Sequence, residues 1–292
     1  MIRYNPKSWF KLIFALHKSD TMRILWKEML YIAVLSALVE FLLEYYWPEN
    51  GVLKELIGVY SLVGFVISLL LVFRTNSAYD RWWEGRKKWG ALVNDTRNLA
   101  LKTSVMIKDE EDRDLFRRMI ANFVFATKEH LRQGVEFDEL ELTEQERMLL
   151  ESKVHVPNAI SQLMFLRLKE LKDKGLISDE EFIIIDKNLN ALLDSLGACE
   201  RIKNTPIPYS YSLFIKKFIF IYVSTLPLVF VSLFGYFSII IVVFVFYVLV
   251  SIEVLAEEIE DPFGKDDNDL PTDDLCVKIR GNVNEIYATS AI

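Results

Sequence analysis

Hydrophobic and polar positions are segregated into long blocks along this chain. Met29 to Trp47 is almost wholly apolar and closes on Tyr45, Tyr46 and Trp47, the aromatic edge expected at a membrane–water interface. Pro48 to Glu55 is a short polar turn. Leu56 to Phe73 then runs for 18 residues without a charge, enough to cross a bilayer at about 1.5 Å per residue. Phe218 to Ile252 is uncharged for 35 residues. As one helix it would be about 52 Å long against a hydrocarbon core of roughly 30 Å. It must fold back, and Gly235 divides it. Four membrane helices are predicted.

Between these blocks, Ala91 to Lys217 has helical periodicity in Phe116–Leu131, Ile160–Leu171 and Phe182–Leu196. Breaks fall near Lys108–Asp112, Gly134–Glu141 and Lys172–Ser178, so four or five amphipathic helices are expected. Ser178-Asp179-Glu180-Glu181 reads as a helix start, with Ser178 as N-cap and acids in the first turn. At the other end, Pro6 to His17 gathers Trp9, Ile13 and Leu16 on one helical face, which suits either an interfacial helix or one docked on a core. Met1 to Asp20 mixes charge with aromatics and does not read as a cleavable signal peptide.

The second span carries the most informative pattern. Phe65, Leu69 and Phe73 recur at i, i+4, i+8, and Ser61, Gly64 and Ser68 form an adjacent small face that permits close helix approach. The bulky line fits a helix presenting side chains to a central axis; it fits a lipid-facing or core stripe as well. Arg74, Arg81, Arg86, Lys87 and Lys88 follow this span, and Lys7, Lys11, Lys18, Arg23 and Lys27 precede the first. Both ends of the hairpin are therefore expected in the cytoplasm. Lys216 and Lys217 before the third span, and acids after the fourth, place those ends inside too. Glu40 and Glu44 lie one turn apart in the first span. A carboxylate in lipid costs roughly 2.5–3.5 kcal/mol, so either Glu40 faces a wet outer mouth or the helix emerges early.

Composition narrows the function. A mean hydropathy of +0.20 together with 26% charged residues requires the segregation just described. A net charge of −7 argues against a nucleic-acid partner. Cys199 and Cys276 are the only cysteines, which is no disulfide framework. Histidines 17, 130 and 155 lie too far apart in sequence to suggest a zinc motif. The stretch Ala256 to Pro271 (AEEIEDPFGKDDNDLP) is different: seven of its sixteen residues are Asp or Glu, interrupted by turn formers. Such oxygen-rich loops suit a hard cation, although the EF-hand spacing is absent and a plain solvated loop has the same composition.

RWWEGRKKWG after the second span, GACERIKNTPIPYSYS before the third and AEEIEDPFGKDDNDLP after the fourth resemble the bestrophins in order and spacing. The resemblance covers nearly the whole chain. It implies an all-α subunit with four transmembrane helices and a cytoplasmic helical domain, assembled as a homopentamer around a central pore. The implied layout is an N-terminal segment over 1–22, helices one and two over 23–74, a cytoplasmic domain over 75–217, helices three and four over 218–255, and an acidic loop and tail over 256–292. Registered on the RWW motif, the pore neck falls at Phe65, Leu69 and Phe73, the line that periodicity singles out. A second, cytoplasmic aperture falls near Glu180 or Glu181, where the family commonly has an apolar residue. In calcium-activated relatives the acidic loop is a clasp. Its matching positions are Asp266 and Asp269 for side chains and Glu258 and Asp261 for carbonyls, with help from a neighbour's N-terminal segment. Lys265 and Asn268 dilute that charge.

The implied function is a passive channel for small monovalent ions in a bacterial inner membrane, with lipid and its own copies as partners, no required cofactor and Ca²⁺ as an optional one. Glu40 and Glu44 at the outer mouth and Glu180 at the exit lean the expectation toward cations such as Na⁺ and K⁺. A chloride channel of the same architecture and a non-conducting scaffold are the alternatives. A metal-dependent hydrolase would need a base, a nucleophile motif or a phosphate loop, none of which the sequence offers. No enzyme is expected.

Overall fold

The computed structural model describes residues 21–47, 53 and 55–289. The helix expected over Pro6–His17 and most of the Pro48–Glu55 turn lie outside the described residues. Every regular element among the described residues is helical. Four helices are long and apolar enough to cross a membrane: α1 (Thr21–Tyr46), α2 (Ile57–Met106), α7 (Tyr209–Phe234) and α8 (Phe237–Glu260). The remaining helices are α3 (Glu110–His130), α4 (Glu144–Glu151), α5 (Val156–Asp173), α6 (Asp179–Asn204) and α9 (Thr272–Thr289), with one 3-10 turn at Phe137–Glu139.

Two helices run across the expected domain limits. α2 runs unbroken through the basic cluster after Phe73 to Met106, 50 residues in all. No proline interrupts it, and Arg and Lys are good helix formers. Positions 75 and 217, the expected limits of the cytoplasmic domain, thus lie inside α2 and α7. The chain divides into two compact units, one of Met1–Trp82, Pro206–Asp261 and Asp266–Asn268, the other of Trp83–Thr205, Pro262–Lys265 and Asp269–Ile292.

The first unit packs α1, the first part of α2, α7 and α8. Its core is Ile32 from α1, Ile67 and Leu71 from α2, Ile215, Ile219, Val223 and Leu226 from α7, and Val242, Phe246 and Leu249 from α8. Apolar side chains that point away from this core are ordinary in a membrane protein, because lipid is as apolar as they are. The small face of α2 is used within the chain. A Cβ at Gly64 would come 2.7 Å from the Tyr222 hydroxyl, so only glycine lets α7 bring that ring so close. Gly235 divides α7 from α8 as expected, with φ 53° and ψ −144°; its N–H bonds the Val231 carbonyl at 2.9 Å.

The second unit is built on α3. Asp109 caps its start, accepting from the Asp112 N–H, and three acids fill its first turn, as the helix dipole favours. From Met119 to Glu129 every position is buried, including charged ones that require partners. Lys128 meets Glu129 at 2.9 Å, Glu139 at 2.6 Å and Asp273 at 3.0 Å, and Arg132 meets Glu129 and Asp273. The Arg132 guanidinium, opposed by partial burial and helped by Lys128, holds the Asp273 carboxyl well below the usual carboxylate range. The α6 start follows the sequence reading: Ser178 and Glu181 form a reciprocal capping box.

Gly235→Ala is expected to destabilise the protein by about 1–3 kcal/mol, because a side chain is strained in that backbone region. A thermal melt of the purified protein in detergent checks this, with Ser232→Ala as the matched control.

Candidate functional site

The two faces of α2 have opposite environments. Ile67, Leu71 and Arg74 are each 1% exposed and Ala78 is fully enclosed, whereas Phe65, Leu69 and Phe73 are 66%, 44% and 55% exposed. The bulky line predicted from periodicity is therefore no core stripe of this subunit. Three large side chains stand one turn apart along a helix whose other side is fixed by packing.

Immediately after Phe73 that fixed side carries a charge. Arg74 lies on the enclosed face, and its Nη2 bonds Glu260 Oε2 at 2.6 Å, while its Nε is 3.6 Å from Glu253 Oε2. The second distance is beyond hydrogen bonding, so Glu253 is held by charge alone. Glu260 works from both oxygens: its Oε1 accepts from the Ile207 N–H at 2.7 Å. Its backbone carbonyl accepts from Arg81 Nε at 3.1 Å. One guanidinium thereby joins α2 to the end of α8 and to the segment leading into α7.

The RWWEG and DPFG motifs, about 180 residues apart in sequence, come together. Within the first unit, Trp82 Nε1 donates to the Asn268 carbonyl at 3.0 Å, and Asn268 Nδ2 donates to Glu258 Oε2 at 2.7 Å. Within the second, a Cβ on Gly85 would lie 3.1 Å from Pro262 and 3.2 Å from the Phe263 ring. Phe263 is buried and its carbonyl accepts from Arg132 Nε. Of the expected clasp residues, Asp266 and Asp261 are exposed, Glu258 is bonded to Asn268, and Asp269 is buried against Gly264. The N-terminal segment expected to help lies outside the described residues.

The other carboxylates occupy environments that the sequence did not reveal. Glu40, expected at a wet outer mouth or an early helix exit, is 3% exposed. It accepts from the Ser238 hydroxyl at 3.2 Å and lies beside Gly235. The turn between α7 and α8 encloses it, a partnership invisible from α1 alone. Glu44 is near the same turn, accepting from the Tyr236 hydroxyl at 2.9 Å. Glu181 is engaged by the Ser178 N–H at 2.8 Å in the capping box, whereas Glu180 is exposed in the first turn of α6. His130 and His155, far apart in sequence, meet at Glu200.

These features define a multi-pass helical membrane protein with a partly bare second helix. Residues 1–285 match the family described as bacterial/fungal bestrophin protein. A Nostoc protein named voltage-dependent anion channel-forming protein is 35% identical over 291 residues, covering 97% of this chain and 93% of the relative. A Salmonella typhi protein of the same description is 31% identical over 278 residues, covering 94% and 90%. The crystal structure of a bacterial bestrophin homologue from Klebsiella pneumoniae, a point mutant, superposes with a TM-score of 0.79 at 27% identity, covering 90% of this chain and 99% of that one. The chain belongs to the bestrophin family.

Removing one partner of an enclosed ion pair costs about 3–5 kcal/mol because the other charge stays buried. Arg74→Met is expected to lower the melting temperature accordingly. Adding Glu253→Gln and Glu260→Gln to it should recover part of the loss, which calorimetry on the natural protein and the two purified variants measures.

Proposed function

We propose that this chain forms a homopentameric channel through which small monovalent ions move passively, with α2 lining the pore and Phe65, Leu69 and Phe73 forming its neck. The observation that carries this reading is the bare Phe–Leu–Phe line opposite a fully packed face. Five copies around an axis would give stacked apolar rings, a constriction that gates by wetting rather than by binding an ion. The basic residues around the first and second spans support a bacterial inner-membrane location with both termini in the cytoplasm. Glu180, exposed where Glu181 is committed to a cap, is the better candidate for the cytoplasmic aperture.

The ion we assign is an anion such as chloride. The cation preference rested on Glu40, Glu44 and Glu180, and two of those three have other engagements: Glu40 is enclosed beside Ser238 and Glu44 meets Tyr236. The descriptions of the relatives point the same way. A channel also fits these findings better than the hydrolase or the scaffold.

Planar bilayers with purified protein under asymmetric NaCl, then KCl, test this reading. The reversal potential is expected near the chloride equilibrium value in both salts and to stay there when Ca²⁺ is added, the ion expected at Asp266 and Asp269 changing current size at most. A reversal potential that follows Na⁺ or K⁺ contradicts the anion assignment. Changing Phe65, Leu69 and Phe73 together to Ala is expected to raise conductance; an unchanged conductance removes the neck from these residues.

A further inference from the structure

His130 closes α3, His155 is the N-cap of α5 and Glu200 lies near the end of α6. The fold brings these three positions to one point. Nε2 of His130 and Nε2 of His155 each lie 2.7 Å from the same oxygen, Oε1 of Glu200. The two imidazoles stack at 4.3 Å between centroids with 38° between their planes. All three side chains are about a quarter to a third exposed, at 27%, 32% and 26%. Solvent reaches them, yet helix ends in three different elements fix where they point. A cleft of about 430 Å³ between α5 and α6 has Glu200, Asn158 and Gln162 among its lining residues.

Two imidazoles and a carboxylate that converge in this way are the donor set of a divalent transition ion. Zn²⁺ takes His nitrogen and carboxylate oxygen at about 2.0–2.2 Å, with a water or a fourth ligand completing a tetrahedron. Hard Ca²⁺ and Mg²⁺ require more oxygens than this point supplies. With donors about 2.1 Å from the ion, neighbouring ligand atoms in a tetrahedron lie about 3.4 Å apart, so the triad must open by more than half an ångström. Rotation of the partly exposed Glu200 side chain provides that movement. Both Nε2 protons must also move, because each imidazole donates to a carboxylate oxygen that can only accept. His155 Nδ1 accepts from the Asn158 N–H at 3.3 Å, which leaves the proton on Nε2. An ion on Nε2 displaces that proton and leaves Nδ1 as the donor. The backbone N–H of Asn158 then loses its acceptor on His155 and is left to water, which its exposed position allows.

We propose that His130, His155 and Glu200 form a Zn²⁺-class site that clamps α3, α5 and α6 together in the second unit. Its role is structural or regulatory: it needs no reacting group beside the open position, and it stands whatever the sign of the permeant ion. The His–Glu–His hydrogen bonds are then the metal-free form of the site.

Cobalt spectroscopy on the full-length protein in detergent, with any affinity tag removed, tests the assignment. One Co²⁺ per chain should bind with intense visible bands of tetrahedral geometry, which an oxygen-only site at the acidic loop would not give. Zn²⁺ should abolish those bands. His155→Asn keeps an N-cap residue in place, so α5 should still form, and Glu200→Gln preserves the shape of the side chain. Each is expected to weaken Co²⁺ by about tenfold or more and to remove the bands, and Zn²⁺ should raise the melting temperature of the natural protein but not of either variant. Absence of tetrahedral bands in the natural protein, or the same bands in both variants, overturns the proposal.

Discussion

Arg74 is where the apolar face of α2 meets its first charge, and the need to neutralise that charge away from water organises the first unit. A guanidinium with 1% exposure persists only where carboxylates reach it, and Glu260 and Glu253 both come from the end of α8. Glu260 also takes the Ile207 N–H, so the same carboxylate fixes where the chain enters α7. Once this side of α2 is anchored, its rotation about its own axis is no longer free. The line of Phe65, Leu69 and Phe73 is bare because Ile67, Leu71 and Arg74 are committed to the opposite side. The pore reading therefore depends on a polar contact that lines no pore.

The acidic loop depends on similar local ties. Trp82 holds the Asn268 carbonyl and Asn268 holds Glu258, while Gly85 leaves the room that Pro262 and Phe263 fill. The asparagine that reads from sequence as a dilution of negative charge is a hydrogen-bonding strut in the fold. The loop's shape is set in part by neutral groups. Burial is the common theme in the second unit as well, where Lys128 is enclosed among Glu129, Glu139 and Asp273. Charges are expensive to enclose singly, and here they are enclosed as sets.

Much of this was legible in the sequence because it depends on short-range physics. Apolar runs of membrane length pointed to the four apolar helices, Gly235 to the reversal, and Ser178 followed by acids to a helix start. Features that depend on distant partners were not legible. The burial of Glu40 requires Ser238, about 200 residues later, and nothing around Glu40 signals it. The basic cluster after Phe73 read as a sign of membrane orientation, which does not say whether the helix stops there; only the absence of proline hinted that α2 continues to Met106. His130, His155 and Glu200 come from three elements, and no spacing rule joins them.

The central claim is that the face of α2 carrying Phe65, Leu69 and Phe73 lines the ion path. Substituted-cysteine accessibility tests it directly. The natural thiols give a quiet background: burial pushes Cys199 up to about 12 and raises Cys276 as well, so neither reacts readily. Cysteine placed singly at 65, 69 and 73, and at the packed positions 67 and 71, should be treated with a charged, water-soluble thiol reagent during current recording. Rapid, irreversible change of current at 65, 69 and 73, with none at 67 and 71, is the predicted result. Equal silence at all five positions in channels that conduct would place the path elsewhere and contradict the account.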